Sequence, residues 1–167
     1  MGYSTDFEGS FALDRPLAPE HAAFLRAFAD TRRMKRDGDK TPPDPIRDAA
    51  GLPPNPDYFV SGGGSFGQEH DASILDYNGA PTAQPGLWCK WAPDEEATAI
   101  EWTGAEKFYE YEAWLVYLVE HFLGPWGYKL TGTVTWEGED QGDVGRLVMR
   151  NNALTVERGR IVYGAAK

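Results

Sequence analysis

Residues 87–136 read LWCKWAPDEEATAIEWTGAEKFYEYEAWLVYLVEHFLGPWGYKLTGTVTW and hold all six tryptophans of the chain. Leu87, Cys89 and Trp91 alternate with Trp88 and Lys90, and Thr98, Ile100 and Trp102 alternate with Ala99 and Glu101. A period of two is that of a strand with one face buried, so the two runs predict an antiparallel hairpin turning at Pro93-Asp94-Glu95-Glu96. Thr103 followed by Glu106 has the spacing of a capping box, and Gly124-Pro125 is a stop, which together predict a helix between them. Its apolar stripe is Phe108, Tyr111, Trp114, Leu115, Leu118 and Phe122. Tyr128, Leu130, Val134 and Trp136 then mark the inward phase of a further strand, with Lys129, Thr131, Thr133 and Thr135 facing away. Large aromatics bury the most apolar area per residue, so this stretch is the expected core.

Working outward, Tyr3, Thr5, Phe7, Phe11 and Leu13 share one phase of an N-terminal strand, while Ser4, Asp6, Glu8, Ser10 and Asp14 take the wet phase. Gly9 interrupts the inward phase, as a bulge or a close backbone approach requires. Pro19 suits a first helical position, and Phe24, Leu25 and Phe28 give helical spacing to about Met34. Leu147 and Met149, the pair Asn151-Asn152, then Leu154 and Val156 predict a closing hairpin, because Asn tolerates positive φ.

Between residues 36 and 85 lie eight of the twelve prolines and a Ser-Gly-Gly-Gly-Ser run. The expectation there is a long, mostly irregular insertion. Asp44, Pro45 and Gly51 have the chemistry to cap, open and close a two-turn helix within it, and Tyr58-Phe59-Val60 a short strand. The whole order is β-α-β-β-α-β with an added C-terminal hairpin. That predicts one α+β domain over residues 1–167, a ferredoxin-like sandwich whose two helices cover one face of an antiparallel sheet.

The chain has 26 acidic and 16 basic residues, a net charge of −10. Such a balance repels phosphate backbones and anionic lipid, which argues against general nucleic-acid binding and favours a basic protein surface as partner. No apolar run approaches the ~20 residues of a membrane span. Cys89 is the single cysteine, and MGYSTDFEGS has neither region of a secretory signal, so a reducing cytoplasm is expected. The basic knot Arg32, Arg33, Lys35 and Arg36 reads either as helix-end electrostatics or as a docking patch for an anionic partner.

Candidate chemistry is sparse. His70 sits between carboxylates in Gln68-Glu69-His70-Asp71, the one loop with the residue types of general acid–base work. The glycine run lacks the Gly-Lys-Ser/Thr ending of a phosphate loop, and His21 and His121 have no second ligand at i+4. No metal or cofactor is expected. Trp88 is out of phase with Leu87, Cys89 and Trp91, so it should emerge on the helix-free face as a binding anchor. That face is also one a homodimer can use.

Gly2-Tyr3-Ser4-Thr5-Asp6-Phe7-Glu8-Gly9, Gly86-Leu87-Trp88-Cys89, Glu106-Lys107-Phe108-Tyr109, Pro125-Trp126-Gly127-Tyr128 and Trp136-Glu137-Gly138-Glu139 resemble segments of a family of small uncharacterised bacterial and phage proteins. The likeness spans nearly the whole chain apart from the proline-rich insertion. It implies a phage or mobile-element setting and carries no activity or catalytic residue with it.

Two functions are therefore expected in competition. In the first, a non-enzymatic protein of the kind of a phage-encoded inhibitor or an immunity protein docks a basic partner through Glu95, Glu96, Glu101, Glu137, Glu139 and Asp140, with Trp88 as anchor. In the second, a small-molecule-binding protein or enzyme has its pocket under the 58–78 loop, lined by Tyr58, Phe66, Glu69, His70 and Asp71.

Overall fold

The computed structural model describes residues 2–60 and 70–165. Strand β1 (Thr5–Leu13) is followed by helix α1 (Pro19–Asp30), and then by the insertion. The insertion holds a two-stranded ribbon of β2 (Lys35–Arg36) and β3 (Ile74–Asp76), the short helix α2 (Pro45–Ala49) and a 3-10 turn at Pro56–Tyr58. Strands β4 (Trp91–Pro93) and β5 (Ala99–Trp102), helix α3 (Tyr111–Leu118) and strand β6 (Leu130–Gly138) come next. The hairpin β7 (Val144–Arg150) and β8 (Ala153–Arg158) completes a six-stranded antiparallel sheet in the order β4-β5-β1-β6-β7-β8. The architecture is α+β, and its six-strand order differs from that of a four-stranded ferredoxin-like sheet.

The alternation read from the sequence sets the two faces of this sheet. Phe11, Ile100, Leu130, Val134, Trp136 and Leu147 are buried, and Phe24, Phe28, Trp114 and Phe122 from the helices join them in one cluster. Phe28 meets Trp114 edge-on with ring centroids 5.8 Å apart, and Phe24 meets Phe122 at 5.0 Å. These are favoured aromatic geometries, and each fully buried ring contributes about 1.5–3 kcal/mol by area alone. Across the sheet Thr131, Thr133 and Thr135 stay exposed.

Gly9 is the expected close approach: its φ is +107°, and a Cβ there would stand 2.7 Å from the Thr133 carbonyl oxygen. Asn151 and Asn152 both have positive φ, 47° and 71°, and close the β7–β8 hairpin. Asp44 caps α2 by accepting from the Arg47 amide at 3.0 Å.

Four local expectations are corrected. The helix expected from Thr103 starts only at Tyr111. The Thr103 hydroxyl instead accepts weakly from Ala105 N at 3.4 Å, and Lys90 Nζ binds the carbonyls of Glu106 and Lys107, which holds that stretch out of helical register. The helix also finishes in a π-helical turn at Val119–Leu123.

Helix α1 stops at Asp30, short of Met34, because Thr31 is extended and its hydroxyl bonds back to the Ala27 carbonyl. The basic knot thus lies beyond the helix end: Arg32 reaches the Tyr77 carbonyl, Arg33 is buried and Arg36 pairs with Asp71. Tyr58-Phe59-Val60 is no strand, since the Asn55 side chain caps Asp57 N and winds a 3-10 turn there. Finally, β4 begins at Trp91, and the Leu87 carbonyl accepts from Arg33 N rather than from a sheet neighbour. Trp88 is therefore half-buried ahead of the strand, not presented on the sheet's open face.

Candidate functional site

The helix-free face is built by the wet phase of each strand. Asp6 and Glu8 on β1, Thr135 and Glu137 on β6, Arg146 on β7 and Glu157 on β8 are all exposed. Register sets Asp6 opposite Glu137, and lines up Glu8, Thr135, Arg146 and Glu157 in one row across four strands. A groove of about 820 Å³ runs along these strands, lined also by Phe7, Trp136 and Arg158. Arg146 Nε is committed to Glu157 at 2.5 Å, and Arg158 Nη2 to Glu112 at 3.3 Å. Among the described residues no cation pairs with Asp6, Glu8 or Glu137.

A further carboxylate ties the start of β1 to β6. Asp143 accepts from Tyr3 OH at 2.6 Å and from Trp136 Nε1 at 2.9 Å, and these bonds hold its carboxyl below the ordinary value. The Tyr3 hydroxyl also accepts from Asp140 N, so the β6–β7 turn is tied to the start of β1.

Of the six carboxylates singled out in the sequence, Glu137 lines this groove and Glu101 stands on the same face of β5. Glu139 and Asp140 lie in the β6–β7 turn, where Glu139 accepts from Ser4 N at 2.6 Å. Glu95 and Glu96 occupy the β4–β5 turn, next to the Leu13 end of β1. The two turns are separated by the length of β1, ~26 Å at the usual rise per residue. The six do not form one patch. Asp6, Glu8 and Glu157 complete the groove instead; the wet phase of the first strand already marked Asp6 and Glu8 as outward, while Glu157 needed the register.

Beneath the insertion the pocket expected from sequence is not brought together. Tyr58 OH pairs with His121 Nδ1 at 2.9 Å, on the π-helical turn. His70 is exposed and stacks on Tyr77. Asp71 bonds to Arg36 Nη1 at 2.9 Å and to Ser73. Burial pushes its carboxyl up, but the hydrogen bonds from Ser73 and Arg36 outweigh that and hold it low. Phe66 and Glu69 lie outside the described residues.

What the insertion does cover is a buried polar layer. Arg33, 3% exposed, lies with its guanidinium 4.0 Å above the Phe28 ring and donates from Nη2 to the carbonyls of Asp57 and Phe59. Gln84 Nε2 donates to the same Asp57 carbonyl at 2.6 Å and to Tyr117 OH at 3.0 Å. Burial lowers Arg33 to about 10, which leaves it charged at neutral pH, and raises Tyr117 and Cys89 to about 12, which leaves both neutral. Nothing in the local pattern announces this layer, because arginine is rarely buried without a partner.

The described residues hold no group of three or more His, Cys, Asp or Glu side chains able to bind a metal ion, and no helix among them is long and apolar enough to cross a membrane. Fold and surface together define an α+β protein with an open acidic sheet face. No family model, curated protein or solved structure matches the chain.

Proposed function

We propose that this chain is a non-enzymatic recognition protein that docks a basic surface of another protein on the open face of its sheet. The observation that carries the reading is the placement of Asp6 opposite Glu137, beside Glu8, with no cation on any of the three among the described residues. Like charges directly opposed across a ladder weaken a sheet, so such a pair is more easily understood as kept for a partner than for the fold. A lysine or arginine presented by a partner relieves the repulsion on binding, which adds to ordinary electrostatic complementarity and speeds association.

The groove suits a protruding basic loop or strand. Glu101 extends the acidic face along β5. On this reading β1-α1-β4-β5-α3-β6 is a ferredoxin-like unit, and the β7–β8 hairpin widens its sheet into a docking platform. The likeness to phage proteins fits an inhibitor or immunity role, acting in the cytoplasm on a host or toxin protein.

The test uses a lysine- and arginine-rich peptide as probe. Its affinity should fall with rising salt. It should fall further in a Glu8→Lys, Glu137→Lys variant, and much less in a Glu95→Lys, Glu96→Lys variant at the far end of β1. Equal losses in both variants would leave only a diffuse charge effect and remove the groove from the argument.

A further inference from the structure

A guanidinium taken out of water is strongly destabilising unless an anion meets it, and among the described residues no carboxylate pairs with Arg33. We propose that Arg33, Trp114 and Gln84 form a buried site for a small monocarboxylate that also carries a hydrogen-bond donor, as a 2-hydroxy acid does. The site lies under the insertion and is independent of the acidic sheet face.

Three side chains there have buried polar atoms with no partner: Arg33 Nε and Nη1, Trp114 Nε1 and Gln84 Oε1. All three belong to one set of touching groups. Arg33 covers Phe28, the Phe28 ring meets both Trp114 and Tyr117, and Gln84 bonds to the Tyr117 hydroxyl and shares the Asp57 carbonyl with Arg33. Turning the Gln84 amide over does not cure the mismatch, because its oxygen would then face the Asp57 carbonyl oxygen. The Asp44 carboxylate attracts Arg33 from a distance, less than Arg36 repels it, and its own oxygens are taken by Arg47 N and Val60 N. Arg36 nearby adds a like charge and is itself paired with Asp71.

The unmet groups specify the ligand. Arg33 Nε carries one hydrogen, Nη1 two and Trp114 Nε1 one, all of them donors that two carboxylate oxygens can accept. Gln84 Oε1 asks for a donor in return, which a hydroxyl next to the carboxylate supplies. Charge sets the valence: one negative charge neutralises Arg33, whereas a phosphate near −2 would leave a buried anion in excess. Phe28, Trp114 and Tyr117 offer apolar walls to a short aliphatic body. Water can satisfy the hydrogen bonds but brings no negative charge to set, with Asp44, against the Arg36 repulsion. Since Arg33 is 3% exposed, exchange requires a local opening, and binding should be slow.

The experiment measures the thermal midpoint of the full chain in sodium glycolate, sodium propionate, sodium phosphate and sodium chloride at matched ionic strength, after long equilibration. The same series on Arg33→Met and Gln84→Met subtracts the general effect of each salt. Glycolate should raise the wild-type midpoint by about 2–4 °C over chloride, with propionate giving less and phosphate no specific gain. Gln84→Met should make glycolate and propionate equivalent, and Arg33→Met should lose the specific rise for both. A wild-type midpoint unmoved by glycolate overturns the proposal, as does a rise that survives in Arg33→Met. Should Arg33→Met fail to fold, Gln84→Met decides alone: an unchanged preference for glycolate over propionate refutes the site. None of these outcomes bears on peptide binding by the sheet face.

Discussion

Asp6 of β1 and Glu137 of β6 face each other directly across the central ladder, and both are exposed on the helix-free side of the sheet. Two carboxylates so placed repel, and opposite charges in the same positions attract, each effect amounting to a fraction of a kcal/mol up to about 1 kcal/mol. Glu137→Lys should therefore raise stability by about 0.5–1 kcal/mol, read as a higher urea midpoint at unchanged slope. The gain should shrink in high salt. If the face serves a basic partner, the same substitution should weaken its binding, so stability and function move in opposite directions at one residue. A destabilised Glu137→Lys would mean that the carboxylate has a structural role of its own.

The close passage of β1 past β6 rests on Gly9. Its φ of +107° disfavours any side chain, and a Cβ would press on the Thr133 carbonyl oxygen at 2.7 Å, a backbone atom that cannot move without shifting the ladder. Gly9→Ala should cost about 2–3 kcal/mol. Gly104, with φ +85° and nothing within 4 Å, is the control: Gly104→Ala carries the backbone strain alone and should cost about 1 kcal/mol. Chemical denaturation of both variants separates contact from strain, and equal losses would show that the approach is relaxed at little cost.

One buried carboxylate ties two parts of the insertion together. Asp44, 1% exposed, accepts from Arg47 N at the start of α2 on Oδ1 and from Val60 N at 2.8 Å on Oδ2. Asp44→Ala removes the cap, worth about 1 kcal/mol, and strands a buried amide at about 1–3 kcal/mol. The expected loss is thus about 2–4 kcal/mol. Asp44→Asn retains one acceptor and should recover part of it. Hydrogen exchange should show the damage first around residues 44–60, with the β1–β6 ladder protected until global unfolding.

These effects differ in how far they can be read in advance. Gly9, the Asn151-Asn152 turn and the Asp44 cap announce themselves, because each obeys a rule that involves only its immediate neighbours. The Thr103–Glu106 box obeyed such a rule and still did not open a helix, since Lys90, supplied by an adjoining segment, captures the carbonyls of residues 106 and 107. Asp6 and Glu137 were each legible as outward-facing, but their opposition is a fact of register between strands at opposite ends of the chain. Arg33 was read within a basic knot at a helix end. Its burial follows from the early stop of α1 at Thr31 and from the Asp57 and Phe59 carbonyls that the insertion brings over it. Charge composition suggested a docking surface, and only strand order showed that Glu95 and Glu96 cannot share it with Glu139 and Asp140.

Cys89 offers a probe of the core from within. It is fully buried in the cluster formed by β4 and the helices, and burial lifts its thiol from an ordinary 9.0 to about 12, while burial also lifts Tyr117 from 10.0 to about 12. For an acid whose folded pKa is raised, the native state keeps its proton where the unfolded chain has lost it. The contribution to stability is fully present below the unfolded value and declines as pH climbs toward the folded one. Stability should therefore hold up to about pH 9 and fall between about 9 and 12. Cys89→Ala should lessen the early part of that fall and Tyr117→Phe the later part, where half-buried Tyr111 also contributes and the lowered Arg33 opposes, in urea midpoints taken across the alkaline range. At about pH 8 a thiol of this kind is almost wholly protonated and shielded, so alkylation should proceed only through opening of the core. Its rate should then follow the opening equilibrium and rise in Asp44→Ala if the insertion guards Cys89, whereas fast labelling of the native wild type would show that the thiol is reachable without unfolding.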